Sequence, residues 1–402
     1  MLETLSREFG DAAVRASDDA RFVAIVRPSD LASASALVRI ARAHSHQVVP
    51  IGSGTKRDWE GPSAGPTIEM DTKGLSRIVA YEPADMTVEV EAGITLAKLT
   101  QELVKNGHRL TLDPPHTDRA TVGGVLATND SGPIRLGFGT ARDVTIGMSM
   151  IEQDGVIIRS GGRVVKNVAG YDLHKLYIGS FGTLGPIATV TFKLSPVAEA
   201  QGLVVIRPLD AADAERIIGS ILAGETRPTM IELLNARAAS AIERDGCLTL
   251  VIGFEENADA VRWQCRRVGD AFGGDVLTEV DSPALYHRLR ELAGAPAEVS
   301  FKATLLSSAV ATFVERASRW PTRLIARAGN GIVYGLLDDA IEDSAWRELE
   351  EAAVAGQGNL QVRGSVPVLA NRFGRHRADA YLSVAIQKGF DPDATFAPER
   401  LT

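Results

Sequence analysis

The stretch Val49-Pro50-Ile51-Gly52-Ser53-Gly54-Thr55-Lys56 ends a β-branched run in a turn where glycine alternates with hydroxyl residues. Successive backbone N–H groups in such a turn form a concave nest for an anion. A diphosphate suits it: Ser53 and Thr55 add hydroxyl donors and Lys56 adds charge. The spacing is not that of a Walker loop, since GxxxxGK[ST] is absent. Nor does it continue as GxGxxG, because Arg57 stands where the third glycine would be.

A second stretch runs from Asp113-Pro114-Pro115-His116 through Thr121-Val122-Gly123-Gly124 to Asn129-Asp130-Ser131-Gly132. Its prolines stiffen the approach. Its small residues at Thr121, Gly123, Gly124 and Ala127 allow a flat ligand to lie against the backbone. Asn129 and Gly132 extend the same wall, and Arg135 and Gly137-Phe138-Gly139-Thr140 follow. A third cluster comprises Gly161-Gly162-Arg163-Val164-Val165-Lys166-Asn167-Val168-Ala169-Gly170-Tyr171-Asp172-Leu173 and Gly179-Ser180-Phe181-Gly182-Thr183-Leu184-Gly185-Pro186-Ile187.

Positioning these turns requires a substantial fold. The chain has 402 residues, 45% hydrophobic and 23% charged, enough for two cores. A net charge of −8 with both signs interspersed argues against a nucleic-acid partner. No apolar run approaches the roughly 18 residues of a membrane span. The start, Met1-Leu2-Glu3-Thr4-Leu5-Ser6-Arg7-Glu8, lacks the pattern of a signal peptide, so a cytoplasmic location is expected, with any membrane association through partners. Cys247 and Cys265 are the only cysteines. They are too few for a disulfide scaffold or for an iron–sulfur cluster, which takes about four thiolates. Electrons handled by this chain must therefore sit on an organic cofactor or leave for another molecule.

The first half alternates strand and helix. Phe22 to Val26 reads as a strand before Pro28, and Ser29 or Asp30 then caps a helix with an apolar stripe at Leu31, Ala34, Leu37, Val38 and Ala41. A second helix starts at Thr95, carries Leu96, Leu99 and Leu103, and stops at Gly107. A boundary falls near Ser195-Pro196-Val197. Beyond it, strands (202–206, 248–254, 299–305, 323–326, 331–336) alternate with helices (211–222, 258–272, 309–318, 343–354). That pattern suits an antiparallel sheet with helices on one face. Phe390 to Pro398 reads as an extended tail.

Over roughly residues 20 to 197, the three glycine clusters resemble, in order, the FAD-binding domain of the vanillyl-alcohol-oxidase/PCMH superfamily. The resemblance implies an α+β protein. A two-subdomain FAD-binding domain (1–197) would precede an α+β, ferredoxin-like cap with an antiparallel sheet (198–380), and a tail (381–402) would return to the first domain. It also implies that Gly52, Ser53, Gly54, Thr55 and Lys56 make the first contact with FAD. Pro115, Thr121, Gly123, Gly124, Ala127, Asn129 and Gly132 would make the second, and Gly182 and Ile187 the third. Some relatives tether the flavin through a histidine in the first loop. Here that loop holds neither His nor Cys, so the FAD should be non-covalent, and His108 and His116 read as loop histidines.

In the second half, Arg327-Ala328-Gly329-Asn330-Gly331-Ile332-Val333-Tyr334 is similar to the H-A-G-D-G-N-x-H motif of D-lactate and glycolate dehydrogenase catalytic subunits. Both histidines, which can bind a divalent metal there, are replaced by Arg327 and Tyr334, so no metal site is expected. Phe181 stands where catalytic subunits carry Glu, and Ala397 and Glu399 depart from a DPxxxxNPG ending. These departures resemble the smaller, E-type FAD-binding subunits of glycolate oxidases. That implies a small hydroxy-acid substrate, a catalytic flavoprotein partner and an iron–sulfur partner. Two alternatives stay open. One is a self-sufficient flavin dehydrogenase or oxidase, in which Arg327 holds a carboxylate and Tyr334 shares the hydroxyl proton. The other is a structural subunit of such a complex that has lost flavin.

Overall fold

In the computed structural model, the described residues are 1–57, 65–163, 170–277, 281–364, 366, 368–369, 373–374 and 380–397. The motif segment 164–169 and the end of the tail, from Pro398 onward, lie outside them.

Among the described residues, three larger sheets and one two-stranded ladder, His108–Arg109 with Ser195–Pro196, carry the fold. The first has the order Val14–Arg15, Phe22–Val26, Thr67–Asp71, Gln47–Ile51, its last three strands parallel. The helix Leu31–Ala43 buries Ala34, Leu37, Val38 and Ala41 in the same core. Asp30 begins it with a capping box: its carboxylate accepts from Ser33 N, and Ser33 returns a bond to the Asp30 backbone. The second sheet is antiparallel, in the order Ile78–Glu82, Thr87–Glu91, Ile187–Lys193, Thr145–Ile151, Ile157–Gly161. The helix Leu96–Leu103 starts at Thr95 and presents Leu96, Leu99 and Leu103 to that sheet's core. One 3₁₀ turn later the chain leaves through Gly107 at φ 69°.

The third sheet has eight antiparallel strands, from Asp275–Leu277 at one edge through Ala200–Ile206, Thr249–Glu256, Met230–Leu234, Thr322–Arg327, Ile332–Leu337 and Val299–Thr304 to Asn359–Arg363 at the other. The expected helices cover one face as Ala211–Ala223, Ala258–Phe272, Val310–Ala317 and Asp343–Ala355. The opposite face is not bare. Ala236–Ala241 and Ser282–Leu292 pack on it through Ala238, Ala239, Leu285, Leu289 and Leu292.

Two local expectations are corrected. Thr121-Val122-Gly123-Gly124 is the start of a short helix, Val122–Thr128, rather than a loop, because Thr121 Oγ1 accepts from Gly124 N and caps it. The chain near the C-terminus is a helix, Ala380–Phe390, followed by a compact turn rather than an extended tail. The Asp391 carboxylate accepts from Thr395 N and Phe396 N, both at 2.8 Å, and Phe396 is fully buried. Thr395 O accepts from Val48 N at 2.7 Å, which lays this turn against the first sheet.

Candidate functional site

The strand Gln47–Ile51 delivers Gly52 directly against Thr121. A Cβ on Gly52 would lie 2.0 Å from Thr121 Oγ1 and within 3.0 Å of its Cγ2 and Cβ, so only glycine permits this approach. Thr121 is fixed in turn. Val122 N donates to Ile94 O at 2.9 Å and Gly123 N to Ala92 O at 2.7 Å, and a Cβ on Gly123 would meet the Ala92 side chain. The third cluster closes on the same place: Gly179 N donates to Leu126 O at 2.9 Å and Phe181 N to Ala127 O at 2.8 Å. Gly182, at φ 78°, rests on the Pro50 ring.

The glycine turns therefore converge. Gly52 to Arg57, Thr121, Gly124, Ala127, Thr128 and Phe181 line one cleft. At Gly54, φ is 71° and a Cβ would meet nothing within 4 Å, so the turn opens on space. Lys56, Thr128 and Phe181 also belong to an adjoining cleft whose far wall is the eight-stranded sheet. Pro115 lies there, beside Ala293. Other proposed contacts stand behind the surface. Gly123 packs on Ala92, Gly132 on Asp113, and Asn129 ends the short helix at φ 48°, facing Gly179. Ile187 is buried in the core of the second sheet.

The far wall carries charge that the sequence reading did not single out. Lys302, on the strand Val299–Thr304, is paired across the sheet with Tyr334 on one side and Gln361 on the other, and all three line the cleft with Arg363. Burial pushes the Lys302 ammonium down to about 8; Asp130 opposes the shift, and Arg327, Arg135 and Lys56 add to it. On the near wall Lys56 Nζ lies 2.6 Å from Asp130 Oδ2. Burial disfavours that carboxylate, yet Lys56 holds it below its usual range.

Arg327 and Tyr334 do meet, but only Tyr334 lines the cleft. Arg327 is 2% exposed and sits behind, its Nη1 donating to the Tyr334 hydroxyl at 2.9 Å and to Ser131 Oγ at 3.1 Å. Its Nε is 3.9 Å from Glu232 Oε1. Burial pushes the Tyr334 phenol up to about 12, against the pull of Arg327, and pushes Glu232 up to about 8. The two halves of the molecule also join at Asp113, which accepts from Tyr286 Oη at 2.5 Å and, raised by burial, titrates at about 6.

Both loop histidines are engaged. The His116 ring contacts Gly294 O at 2.9 Å, and the His108 ring contacts Tyr81 Oη at 2.8 Å. Among the described residues, no group of three His, Cys, Asp or Glu side chains could hold a metal ion, and no helix is long and apolar enough to cross a membrane.

Residues 23–161 match the family described as FAD binding domain. The matched segment is an FAD-binding domain of the PCMH-type superfamily. The chain is accordingly an FAD-dependent oxidoreductase. Within this superfamily it is 26% identical to glycolate oxidase subunit GlcD of Bacillus subtilis over 94% of the chain and 88% of that protein. It is 36% identical to glycolate oxidase subunit GlcE of Escherichia coli over 37% of the chain and 43% of that protein. Matches to six further curated relatives span between 36% and 55% of their lengths. A solved structure of p-cresol methylhydroxylase with bound substrate shares the fold, with a TM-score of 0.78 at 16% identity over 99% of the chain and 95% of that structure.

Proposed function

We propose that the chain holds one FAD non-covalently in the cleft and serves in the oxidation of a small 2-hydroxy acid, with glycolate the first candidate. The observation that carries this is the convergence of the Gly52, Thr121–Gly124 and Phe181–Gly182 turns on a cleft that continues into a cation-bearing wall. The residues fit the cofactor: Gly54 leaves room beside the amides of Ser53 and Thr55, and Lys56 offers charge to a diphosphate. Thr121, Gly124 and Ala127 would flank it, with Pro115 at the mouth. Gly123, Asn129, Gly132, Gly182 and Ile187 would support these walls from behind. Non-covalent binding is favoured because the first loop holds neither His nor Cys and the nearby His108 and His116 rings have other partners.

Bound there, FAD supplies a two-electron acceptor for the carbon that carries the hydroxyl. The chain's own residues would do the rest. Lys302 would attract the carboxylate, Tyr334 would donate a hydrogen bond to a substrate oxygen, and Phe181 would shield the site from water. In this reading residues 1–197 hold the cofactor, 198–380 bring the substrate wall, and 381–402 return to the first domain.

The role assigned first is that of an E-type glycolate oxidase subunit, working beside a catalytic flavoprotein and passing electrons to an iron–sulfur subunit. The two isolated cysteines support an external acceptor. A second reading, a self-sufficient dehydrogenase, is favoured by the complete wall of Lys302, Tyr334 and Gln361. Anaerobic mixing of the FAD-loaded chain with glycolate or D-lactate separates them. Bleaching of the flavin by the chain alone supports self-sufficiency, and bleaching only with co-purified partners supports the subunit role. No bleaching in either case, with any small 2-hydroxy acid, contradicts both.

A further inference from the structure

Arg327 is among the largest fully buried side chains of the described residues, yet it does not touch the cleft. A buried guanidinium is costly unless it is held by partners. Its partners come from both halves of the molecule: Ser131 Oγ at 3.1 Å from the first, and Tyr334 Oη at 2.9 Å and Glu232 Oε1 at 3.9 Å from the second. Asp113 and Asp130 add negative charge around it, while Arg135 and Lys302 oppose it.

Hydrogen-bond direction gives this arrangement a consequence. A guanidinium has donors only, so the Tyr334 oxygen must accept from Arg327. The phenol proton then has to be given elsewhere. Among the described residues no acceptor is within hydrogen-bond reach of the Tyr334 hydroxyl, and Tyr334 forms part of the cleft wall.

We propose that Arg327 is a positioning residue: by donating to the Tyr334 oxygen from behind, it commits the Tyr334 O–H to donating into the cleft, toward an anionic oxygen of the substrate. Ser131 accepts a hydrogen bond from the guanidinium and holds it in that attitude, with the Glu232 carboxyl 3.9 Å from its Nε. The phenol's elevated pKa agrees, because Tyr334 stays protonated at neutral pH and acts as a donor rather than as a base. A donor that also receives a charged hydrogen bond is polarised and binds an anion more strongly.

This proposal rests on the hydroxy-acid reading above, and its test keeps the two apart. FAD-loaded wild-type protein and variants are titrated with sodium oxalate, a small dicarboxylate, by following the perturbation of the flavin absorbance. Tyr334→Phe, which removes only the hydroxyl, should stay folded and keep FAD, with a lower melting temperature for the partner Arg327 loses, while weakening oxalate roughly ten- to a hundred-fold. Arg327→Gln should weaken oxalate to a similar degree, and Arg327→Lys, which keeps one charged donor, should recover part of the loss. The double variant Arg327→Gln/Tyr334→Phe should bind oxalate no more weakly than Tyr334→Phe alone, a non-additivity that a merely structural role would not produce. If Arg327→Gln does not fold, the pair Arg327→Lys and Tyr334→Phe carries the same comparison. Additive losses, or wild-type affinity in Tyr334→Phe, overturn the positioning role and leave the carboxylate-binding reading standing. Wild-type protein that takes up FAD but never binds oxalate overturns both.

Discussion

Gly52→Ala is expected to lower FAD affinity at least a hundred-fold, about 3 kcal/mol. The new methyl would stand 2.0 Å from Thr121 Oγ1. Turning Thr121 away would break its cap on Gly124 N, and its Cβ would still lie 3.0 Å from the added carbon. The start of the Val122–Thr128 helix cannot retreat either, being tied to Ala92 and Ile94 through the Gly123 and Val122 amides. The Gly52 turn must therefore move outward by an ångström or more, carrying the Ser53 and Thr55 amides away from the diphosphate position. Thr121→Gly added to Gly52→Ala reopens the space and should restore most of the affinity, less about 1 kcal/mol of helix stability for the lost cap. Equilibrium dialysis against FAD, with circular dichroism to confirm folding, measures both. Unchanged FAD affinity in folded Gly52→Ala would remove the two turns from the cofactor site.

Lys302→Met should reduce kcat/KM for the acid substrate roughly ten- to a hundred-fold at pH 7, mainly through KM. The reason lies in the far wall. Lys302 stands between Tyr334 and Gln361, and burial lowers its ammonium to about 8. Below that pH it is a poorly solvated cation facing the cleft, which a carboxylate would relieve. As pH rises through about 8 the proton leaves, the positive charge is lost and carboxylate binding weakens. Wild-type kcat/KM should accordingly show a falling limb near pH 8. Lys302→Met should lack that limb and run low throughout. Lys302→Arg, whose charge persists, should keep affinity to higher pH. Steady-state kinetics between pH 6 and 10 decide the matter; a limb that survives in Lys302→Met assigns it to another group.

Much of the first half was legible because its signals are local. Asp30 with Ser33, Thr95 with its leucine stripe and Gly107 each mark an end of a helix within a few residues. The glycine turns announced a ligand because small residues at separated positions leave backbone accessible. Elements without a local period were harder. Met230–Leu234 is buried at every position, so its sequence shows no alternation to mark it as a strand. Ala380–Phe390 lies beside the returning chain and was hidden by the proline- and aspartate-rich turn that follows it.

The site divides in the same way. Arg327 and Tyr334 could be linked from sequence because a tight turn joins their strands, and they do touch. Which of them faces the cleft was not legible, since it depends on Ser131 and Glu232, distant in sequence and close in space. Lys302 carries no local signal of a site, because Val299-Ser300-Phe301-Lys302-Ala303-Thr304 reads as an ordinary strand with one wet face. Only the pairing of that strand with its two neighbours turns the wet face into the wall of a cleft.

The most direct measurement is a titration of purified, flavin-stripped chain with FAD, followed by absorbance after removal of unbound cofactor. One FAD per chain, released intact by acid precipitation, is expected, because the glycine turns meet in one cleft with no His or Cys in the first loop to form a bond to the flavin. A folded chain that retains no flavin, or flavin that stays covalently attached after precipitation, would contradict the account.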